Sequence, residues 1–291
     1  MGEDMMNILV VGGTRFFGIP MVEKLIADGH DVTIATRGKS QNSFGESTKQ
    51  LVMERTNYDS VKEALAGKSY DVIIDKIAYS SNDVKNLLEN VSCKKYIQMS
   101  SCSVYLEDKE NISEEDFDSR KYPLAWIDRI KDYAEGKRQA ERAVYEYMDE
   151  SNCIFVRYPV VMGPNDYTNR LRFYADHIKE EKPMYVDDLD CGMEFIHEKE
   201  AGLFIAHLVD QDVHGAVNGC AKGMISPRDI IEYIEKITGK NAVLDANGDE
   251  APYNGTTSNL SYDTTKARQT GFRFSDSNEW IFDLIKSYSD I

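Results

Sequence analysis

The amino-acid sequence predicts an α/β fold in which a doubly wound, parallel sheet is followed by a smaller C-terminal lobe. Short, almost entirely apolar segments recur through the first half of the chain, as expected for strands of a sheet that is buried on both faces. Segments with helical periodicity lie between them, and an alternation of strands and helices favours parallel pairing. After Pro164 this alternation weakens, which indicates a second, smaller unit.

The elements of the first half follow from local sequence signals. The segment Asn7–Val11 is apolar after its first residue, and it predicts the first strand. A helix is predicted over Phe17–Asp28, with Pro20 in the first turn, where a missing N–H is harmless, and Gly29 at its end. The remaining predicted elements are strands at Val32–Ala35, Val72–Ile74, Lys95–Met99 and Ile154–Arg157, and helices at Val61–Ala66, Val84–Leu88 and Ala125–Met148.

The second half predicts a lobe over residues 165–291. Its predicted helices are Asn169–Glu180, Glu198–Val209, Pro227–Thr238 and Asn278–Ser287, and its predicted strands are Met184–Val186, Ala216–Asn218 and Ala242–Leu244. We expect the segment 195–222 to return to the main sheet. The first domain would then comprise residues 5–164 together with this segment.

Composition excludes several classes of partner. The 291 residues include 34 basic and 50 acidic side chains, and the formal charge of −16 repels a nucleic acid. No apolar run approaches the roughly 20 residues that a membrane span needs. Five scattered cysteines without metal-ligand spacing indicate a cytoplasmic protein with reduced thiols and no metal site. One small phosphorylated ligand in a locally basic pocket remains compatible with this charge.

A glycine-rich turn joins the first predicted strand to the first predicted helix. It consists of Gly12, Gly13, Thr14, Arg15, Phe16, Phe17 and Gly18. In a dinucleotide site, Gly12 would permit the tight turn and Gly18 the close packing of helix on strand. Arg15 takes the middle position of the G-x-x-G-x-x-G spacing, and we expect its guanidinium to contact a phosphate rather than close the site. Such a turn without a ligand is the alternative, but its position between strand and helix favours a dinucleotide.

The end of the second strand bears on the choice between NAD and NADP. Sites selective for NAD usually carry an acidic residue there, which binds the ribose hydroxyls. This sequence has Thr36 and Arg37 instead, followed by Lys39. Two cations suit a 2′-phosphate, so the sequence slightly favours NADP over NAD. The alternative, that both are solvated loop residues, is nearly as well supported.

The helix predicted over Ala125–Met148 carries a stripe of inward-facing residues. Its members are Ile130, Tyr133, Lys137, Ala140, Val144 and Tyr147. Lys137 is the only charge in this stripe, and burying a lysine is costly unless something uses it. Because Tyr133 lies one turn earlier, we expect the ammonium to lower the pKa of the phenol, which could then exchange a proton with a substrate. A surface pair formed by chance is the alternative.

Serines follow the predicted strand Lys95–Met99. The run Ser100, Ser101, Cys102, Ser103 lies where ligands bind in open α/β sheets, at the carboxyl end of a strand. A hydroxyl there could polarise a substrate carbonyl and share its proton with Tyr133. An ordinary turn, in which serines bond to their own backbone, is the alternative.

Together these motifs resemble the extended short-chain dehydrogenase/reductases, and most of all the NAD-dependent epimerase/dehydratase family with its UDP-glucose 4-epimerase-like members. The resemblance rests on the glycine turn, S-S-x-x-V-Y at 100–105, Y-x-x-x-K-x-x-x-E at 133–141, R-Y-P-x-x-x-G-P at 157–164, the segment 195–201 and the segment 262–268. It spans nearly the whole chain. It implies a Rossmann-like sheet, an enzyme, and NAD or NADP as the cofactor.

The resemblance also implies roles for individual residues. Ser101, Tyr133 and Lys137 correspond to the catalytic serine, the acid/base and the residue that binds the nicotinamide ribose. Glu54, Ile77, Ala78 and Tyr158 complete the implied cofactor-binding set. A homodimer through the outer edge of the Tyr–Lys helix is implied as well, although core packing explains Trp126 and Tyr145 equally well.

Two departures from the family leave the substrate open. Val160 stands where sugar-nucleotide epimerases usually have an asparagine, and Met193 stands near their diphosphate-binding arginine, for which Arg170 and Arg172 could substitute. The predicted function is NAD(P)-dependent hydride and proton transfer at a carbinol carbon of a sugar nucleotide or related polyol. The alternatives are a reductase of a non-nucleotide carbonyl compound, and a cofactor-binding regulatory or RNA-binding protein with a vestigial site. The last is suggested by G-G-T-R-F-F-G, which also resembles chloroplast RNA-binding proteins of this fold.

Overall fold

A computed structural model describes residues 5–39, 43–256 and 258–288. The strands, in chain order, are β1 (Asn7–Val11), β2 (Asp31–Thr36), β3 (Lys49–Val52), β4 (Ser69–Asp75), β5 (Ser92–Met99), β6 (Cys153–Arg157), β7 (Val160–Met162), β8 (Pro183–Tyr185), β9 (Phe195–His197), β10 (Gly215–Asn218), β11 (Val243–Leu244) and β12 (Asp249–Glu250). The helices are α1 (Gly18–Ala27), α2 (Tyr58–Leu65), α3 (Ser81–Leu88), α4 (Tyr133–Val144), α5 (Arg170–Glu180), α6 (Glu198–His207), α7 (Pro227–Thr238), α8 (Thr265–Gln269) and α9 (Ile281–Tyr288).

The main sheet has the order β3-β2-β1-β4-β5-β6-β10, and its strand pairs are parallel. The chain runs outward from β1 to β3 and then crosses to β4 on the other side of β1. Connections leave the two strands β1 and β4 in opposite directions, which opens a crevice at their carboxyl ends. The predicted Rossmann-like, doubly wound fold is therefore confirmed. Strand β10, which lies in the segment 195–222, pairs with β6 at the sheet edge.

Helices cover both faces of this sheet. Met21 and Leu25 of α1 pack with Phe204 of α6 in the core of one face, and α2, α3 and α4 contribute to the core of the other. Helices α1 and α6 approach closely because Gly202 has no side chain. A Cβ at that position would lie 2.4 Å from the carbonyl oxygen of Phe17.

The lobe has a core of its own. Buried residues of α5, α7 and α9, among them Leu171, Ile230 and Ile281, pack with Phe195 of β9. The small strands pair as β7 with β9 and as β8 with both β11 and β12. The predicted smaller C-terminal lobe is therefore present.

The helix predicted over Ala125–Met148 was wrong at both ends, since α4 spans only Tyr133–Val144. The Asp132 side chain accepts a hydrogen bond from the Glu135 amide at 3.0 Å and caps the helix there. The preceding residues are not helical, because they bond to α3 instead: the Ser81 hydroxyl donates to the Ala125 carbonyl at 2.6 Å.

The stripe assigned to that helix is correspondingly shorter. Ile130 is 47% exposed and lies before α4, while Tyr147 lies in the turn after it. Strand β3 was not predicted, because its sequence Lys-Gln-Leu-Val is mostly exposed at the sheet edge and lacks an apolar run. In the described ranges, no helix is both long and apolar enough to cross a membrane.

Candidate active site

A cavity of about 660 Å³ opens at the carboxyl edge of the sheet. Its wall on the sheet side comes from the loops that follow β1, β4, β5 and β6, and it includes Phe17, Lys76, Ser101 and Tyr158. Tyr133, at the start of α4, completes this side. The lobe contributes Tyr167, Arg170, Glu194, Leu260 and Tyr262. The cavity thus combines residues of the glycine turn, the serine run and the start of α4 with residues of the lobe.

The glycine turn is packed too closely for side chains at its glycines. Gly12 has a φ of +81°, which residues other than glycine rarely adopt. A Cβ on Gly13 would lie 2.9 Å from Cγ1 of Val10, and a Cβ on Gly18 would lie 2.7 Å from the Gly13 carbonyl oxygen. Helix α1 begins without a side-chain cap. Its first two amides, those of Gly18 and Ile19, donate to the carbonyls of Arg15 and Phe16, so what the helix start offers an anion is the positive end of the helix dipole. These features fit the diphosphate of a dinucleotide.

The remaining residues of this turn differ in their exposure. Phe16 takes a left-handed conformation, with φ at +56°, and its ring and that of Phe17 line the cavity. Thr14 is half-buried, whereas the side chain of Arg15 is exposed. The expected contact of Arg15 with a phosphate stays a prediction.

Arg37 and Glu54 lie at the far end of the same sheet edge. Arg37 is exposed directly after β2, and Glu54 is half-buried shortly after β3. The register that pairs β2 with β3 brings these strand ends side by side. The Glu54 amide donates to the Ser60 hydroxyl at 2.9 Å, and its carboxylate accepts from the Thr56 hydroxyl at 3.1 Å. Their roles towards adenosine stay predictions.

Ser101 and Tyr133 meet at the cavity from two different elements. Ser101 follows β5, and its hydroxyl oxygen accepts a hydrogen bond from the Ser103 amide at 3.1 Å, which fixes the turn there. Tyr133 is the first residue of α4. Burial raises the pKa of the Tyr133 phenol, and its hydrogen bond with the Ser101 side chain partly opposes that rise. The residue as a whole is 47% exposed.

Lys137 lies behind the cavity wall. It has no exposed surface, and its Nζ donates to the carbonyls of Ala78 and Met99 at 2.9 Å each. The rings of Tyr79 and Tyr133, which line the cavity, have their centroids 4.4 and 5.7 Å from this nitrogen. Tyr79 therefore lies between Lys137 and any ligand.

The electrostatic expectation for this pair was wrong. Lys137 does not lower the pKa of Tyr133, which is raised by burial. Burial also lowers the pKa of Lys137 to about 7, because removing an ammonium from water disfavours its charged form. The lysine is therefore a weaker source of positive charge than a solvated ammonium would be.

A buried charge cluster holds the loop after β4. The Asp75 carboxylate accepts hydrogen bonds from Arg55 Nη1 at 2.9 Å, the Tyr96 hydroxyl at 2.7 Å and the Ile77 amide at 3.1 Å. This cluster fixes Ile77 and Ala78, and Cγ2 of Ile77 would lie 3.1 Å from a Cβ on Gly12. Ile77 therefore lies beside the glycine turn, and the Ala78 carbonyl accepts from Lys137 at 2.9 Å.

Tyr158 presents only its ring to the cavity. Its hydroxyl donates to the Ala201 carbonyl at 2.7 Å, and its ring packs edge-on against Phe17 with centroids 6.2 Å apart. Tyr158 thus supports one wall of the predicted cofactor site.

Sequence reasoning missed several residues that line this cavity, and three of them bear on its chemistry. Lys76 follows β4 directly, Tyr79 covers Lys137, and Glu194 comes from the lobe. Burial raises the pKa of Glu194, whose carboxylate accepts from the Tyr262 amide at 2.9 Å. The signal available for Lys76 was its position at the carboxyl end of an apolar strand.

The substrate side departs from the family as expected from the sequence. Val160 and Met193 both line the cavity, and so does Arg170. Arg172 pairs instead with Asp176 at 3.4 Å. Within the described ranges, no three His, Cys, Asp or Glu side chains come close enough together to hold a metal ion.

Comparisons with known proteins place the chain among related sequences. The family described as the NAD dependent epimerase/dehydratase family matches residues 8–219. The chloroplast stem-loop binding protein of 41 kDa b from Arabidopsis thaliana is 28% identical over 194 residues, which cover 62% of this chain and 48% of that protein. The 2′-dehydrokanamycin reductase of Streptomyces kanamyceticus is 32% identical over 81 residues, 28% of this chain and 23% of the enzyme. The chain thus spans about half the length of the chloroplast protein and about a quarter of the length of the reductase.

Solved structures resemble this chain over nearly its whole length. UDP-glucose 4-epimerase from Thermotoga maritima, solved with UDP-glucose, is 17% identical with a TM-score of 0.74, covering 97% of this chain and 98% of its own. UDP-glucuronic acid 4-epimerase from Bacillus cereus, solved with NAD, is 20% identical with a TM-score of 0.70, covering 97% and 99%. At these identities the likeness shows the fold.

Proposed function

We propose, since this chain belongs to the NAD dependent epimerase/dehydratase family, that it transfers a hydride and a proton at a carbinol carbon. The substrate would be a sugar nucleotide or a related polyol, and the cofactor NAD or NADP. The observation that carries this proposal is the shared cavity. Ser101, Tyr133 and Phe17 of the glycine turn line one space, and Lys137 lies directly behind it.

The chain's own residues suit a dinucleotide. The close-packed turn through Gly12, Gly13 and Gly18 leads into the uncapped N-terminus of α1, whose dipole favours a diphosphate. We propose that Lys137 binds the nicotinamide ribose, which requires Tyr79 to move aside. A bound nicotinamide would supply the hydride acceptor or donor.

Tyr133 and Ser101 would handle the proton. Because burial raises the pKa of Tyr133, the phenol is protonated at neutral pH in the free protein. This is the form that donates a proton to a carbonyl oxygen undergoing reduction. The Ser101 hydroxyl would donate a hydrogen bond to the same oxygen and stabilise the charge that develops there.

A second candidate is the reduction of a carbonyl compound that carries no nucleotide. Val160 and Met193 line the cavity and offer no hydrogen bond to a uridine or a diphosphate. A segment of the chain is also similar to 2′-dehydrokanamycin reductase, whose name describes such a reaction. Assays with ketone-bearing aminoglycosides and with UDP-sugars would separate the two candidates.

The experiment that tests the proposed chemistry is Tyr133→Phe. This change removes the hydroxyl and keeps the ring, so turnover of any accepted substrate should fall at least about a hundredfold, while NADH binding should stay within about twofold. Tyr185→Phe, in the lobe strand β8, is the matched control and should leave both unchanged. Retained turnover in Tyr133→Phe would overturn the proposal. Binding of a stem-loop RNA without any turnover would favour the RNA-binding alternative.

We also propose a preference for NADP and assembly into a homodimer. Arg37 is exposed beside the end of β2 and could bind a 2′-phosphate. Trp126 is exposed in the segment that precedes α4, where a second copy of the chain could pack. Co-purified cofactor identified by mass spectrometry tests the first point, and the molecular mass in solution tests the second.

A further inference from the structure

Lys76 lies at the point where the sheet opens. It follows β4 directly, and its amide donates to the Val11 carbonyl at the end of β1 at 3.1 Å. Its side chain reaches the cavity wall, and its Nζ lies 4.0 Å from the ring centroid of Phe17, the residue before α1. The ammonium is therefore close to the N-terminus of α1.

This ammonium has no acceptor among the described residues. Three other shielded lysines behave differently: Lys95, Lys137 and Lys266 each donate to two main-chain carbonyls. For Lys76 the recorded contact is the face of an aromatic ring. Burial lowers the pKa of Lys76 to about 8, with no charged neighbour as a cause. A shielded cation without a counter-charge costs stability, and an anionic ligand would remove that cost.

Two positive features converge on the same space. One is the ammonium of Lys76, and the other is the uncapped N-terminus of α1, whose dipole favours an anion. A diphosphate, with two negative charges, suits both features at once.

We propose that Lys76 is an anion-binding residue of this site, and that its ammonium binds the diphosphate of the dinucleotide at the N-terminus of α1. The inference rests on the proposed function, because it assumes that the cavity takes a dinucleotide. A sugar nucleotide also carries a diphosphate. The position of Lys76 between β1 and β4, beside α1, favours that of the cofactor.

Isothermal titration calorimetry with four probes tests this inference: NADH, ADP-ribose, UDP and adenosine. Lys76→Met should weaken ADP-ribose and NADH about ten- to hundredfold, as expected when a hydrogen bond to a charged group is lost, and should leave adenosine and UDP unchanged. Lys76→Arg should retain most of the affinity. The matched control is Lys85→Met. In the unaltered protein the Lys85 ammonium also lies over an aromatic ring, 5.3 Å from the centroid of Trp126, but outside this cavity. This variant should bind every probe normally.

Thermal unfolding of the ligand-free variants supplies a second readout. Lys76→Met should unfold at a higher temperature than the unaltered protein, because an uncompensated cation has been removed. A merely structural lysine would give the opposite shift. Lys76→Gln is a second neutral variant, and failure of both to fold would contradict the inference.

The outcomes separate this inference from the proposed function. If the unaltered protein and Lys76→Met bind ADP-ribose equally well, the inference is wrong and the proposed function stands. A loss confined to UDP would reject the cofactor as the source of the diphosphate. If the unaltered protein binds neither NADH, NADPH nor ADP-ribose, both proposals fail.

Discussion

The ion pair between Arg157 and Glu141 allows a worked prediction of stability. Neither side chain has exposed surface. The Glu141 carboxylate accepts from Arg157 Nε at 3.0 Å and Nη2 at 2.7 Å, and also from the Ser100 hydroxyl. Removing one partner of a buried pair costs about 3–5 kcal/mol. Because Arg157 also donates to the Glu114 and Phe117 carbonyls, we expect Glu141→Ala to lower the free energy of unfolding by about 3 kcal/mol.

Urea unfolding followed by circular dichroism measures this loss. Glu146→Ala is the matched control, since Glu146 pairs with Arg142 at 2.8 Å near the protein surface, and such pairs contribute about 0.3–0.5 kcal/mol. The double variant Glu141→Leu with Arg157→Met should recover most of the loss, because two apolar side chains leave no charge uncompensated. A loss below about 1 kcal/mol in Glu141→Ala, or no recovery in the double variant, would refute this reasoning.

Three further predictions concern other parts of the molecule. Gly202→Ala would place a Cβ 2.4 Å from the Phe17 carbonyl oxygen, so it should separate α6 from α1 and lower the melting temperature, by an amount equivalent to about 1–3 kcal/mol. Below pH 8, Lys76 is protonated in the folded and in the unfolded protein. Above pH 8 the folded protein releases this proton, whereas the unfolded chain retains it to roughly pH 10.5. The stabilisation in Lys76→Met should therefore be largest near pH 7 and shrink towards pH 10, which melting curves across this range would reveal. Arg37→Glu should lower the affinity for NADPH relative to NADH about tenfold or more, and an unchanged ratio of dissociation constants would mean that Arg37 is a solvated loop residue.

Local sequence signals were sufficient to predict the strand, turn and helix that form the glycine turn and its flanks. An apolar run, a glycine with positive φ and a periodic helix follow one another within residues 7–27, and each depends on neighbours in sequence. The alternation of such units predicted the parallel sheet. The start of α4 was not predicted correctly because it depends on contacts between segments that are distant in sequence. Asp132 is a recognisable helix cap, but bonds from the preceding segment to Ser81 and Asn82 decide where the helix begins.

The chemistry of the site was harder to predict than its location. Ser101 and Tyr133 were found from motifs, and the structure brings both to one cavity. The pKa of Tyr133 depends on burial by distant segments, which a spacing of four residues does not reveal. Lys76 gains its significance from the neighbouring strand β1, and that adjacency follows from the sheet order rather than from the sequence around it.

Strand β10 joins the main sheet only after the chain has passed through the lobe, and this limits how the protein can be cut into separate domains. The chain forms β7, β8 and β9 in the lobe before β10 returns to pair with β6, so neither part is one uninterrupted stretch of polypeptide. A fragment that stops at residue 164 would keep the pairing of β6 with β5 but leave the other edge of β6 unpaired, and a bare strand edge invites association with other chains. Swapping lobes between relatives to change substrate choice would therefore need three junctions, one where the chain first enters the lobe and one on each side of the returning segment.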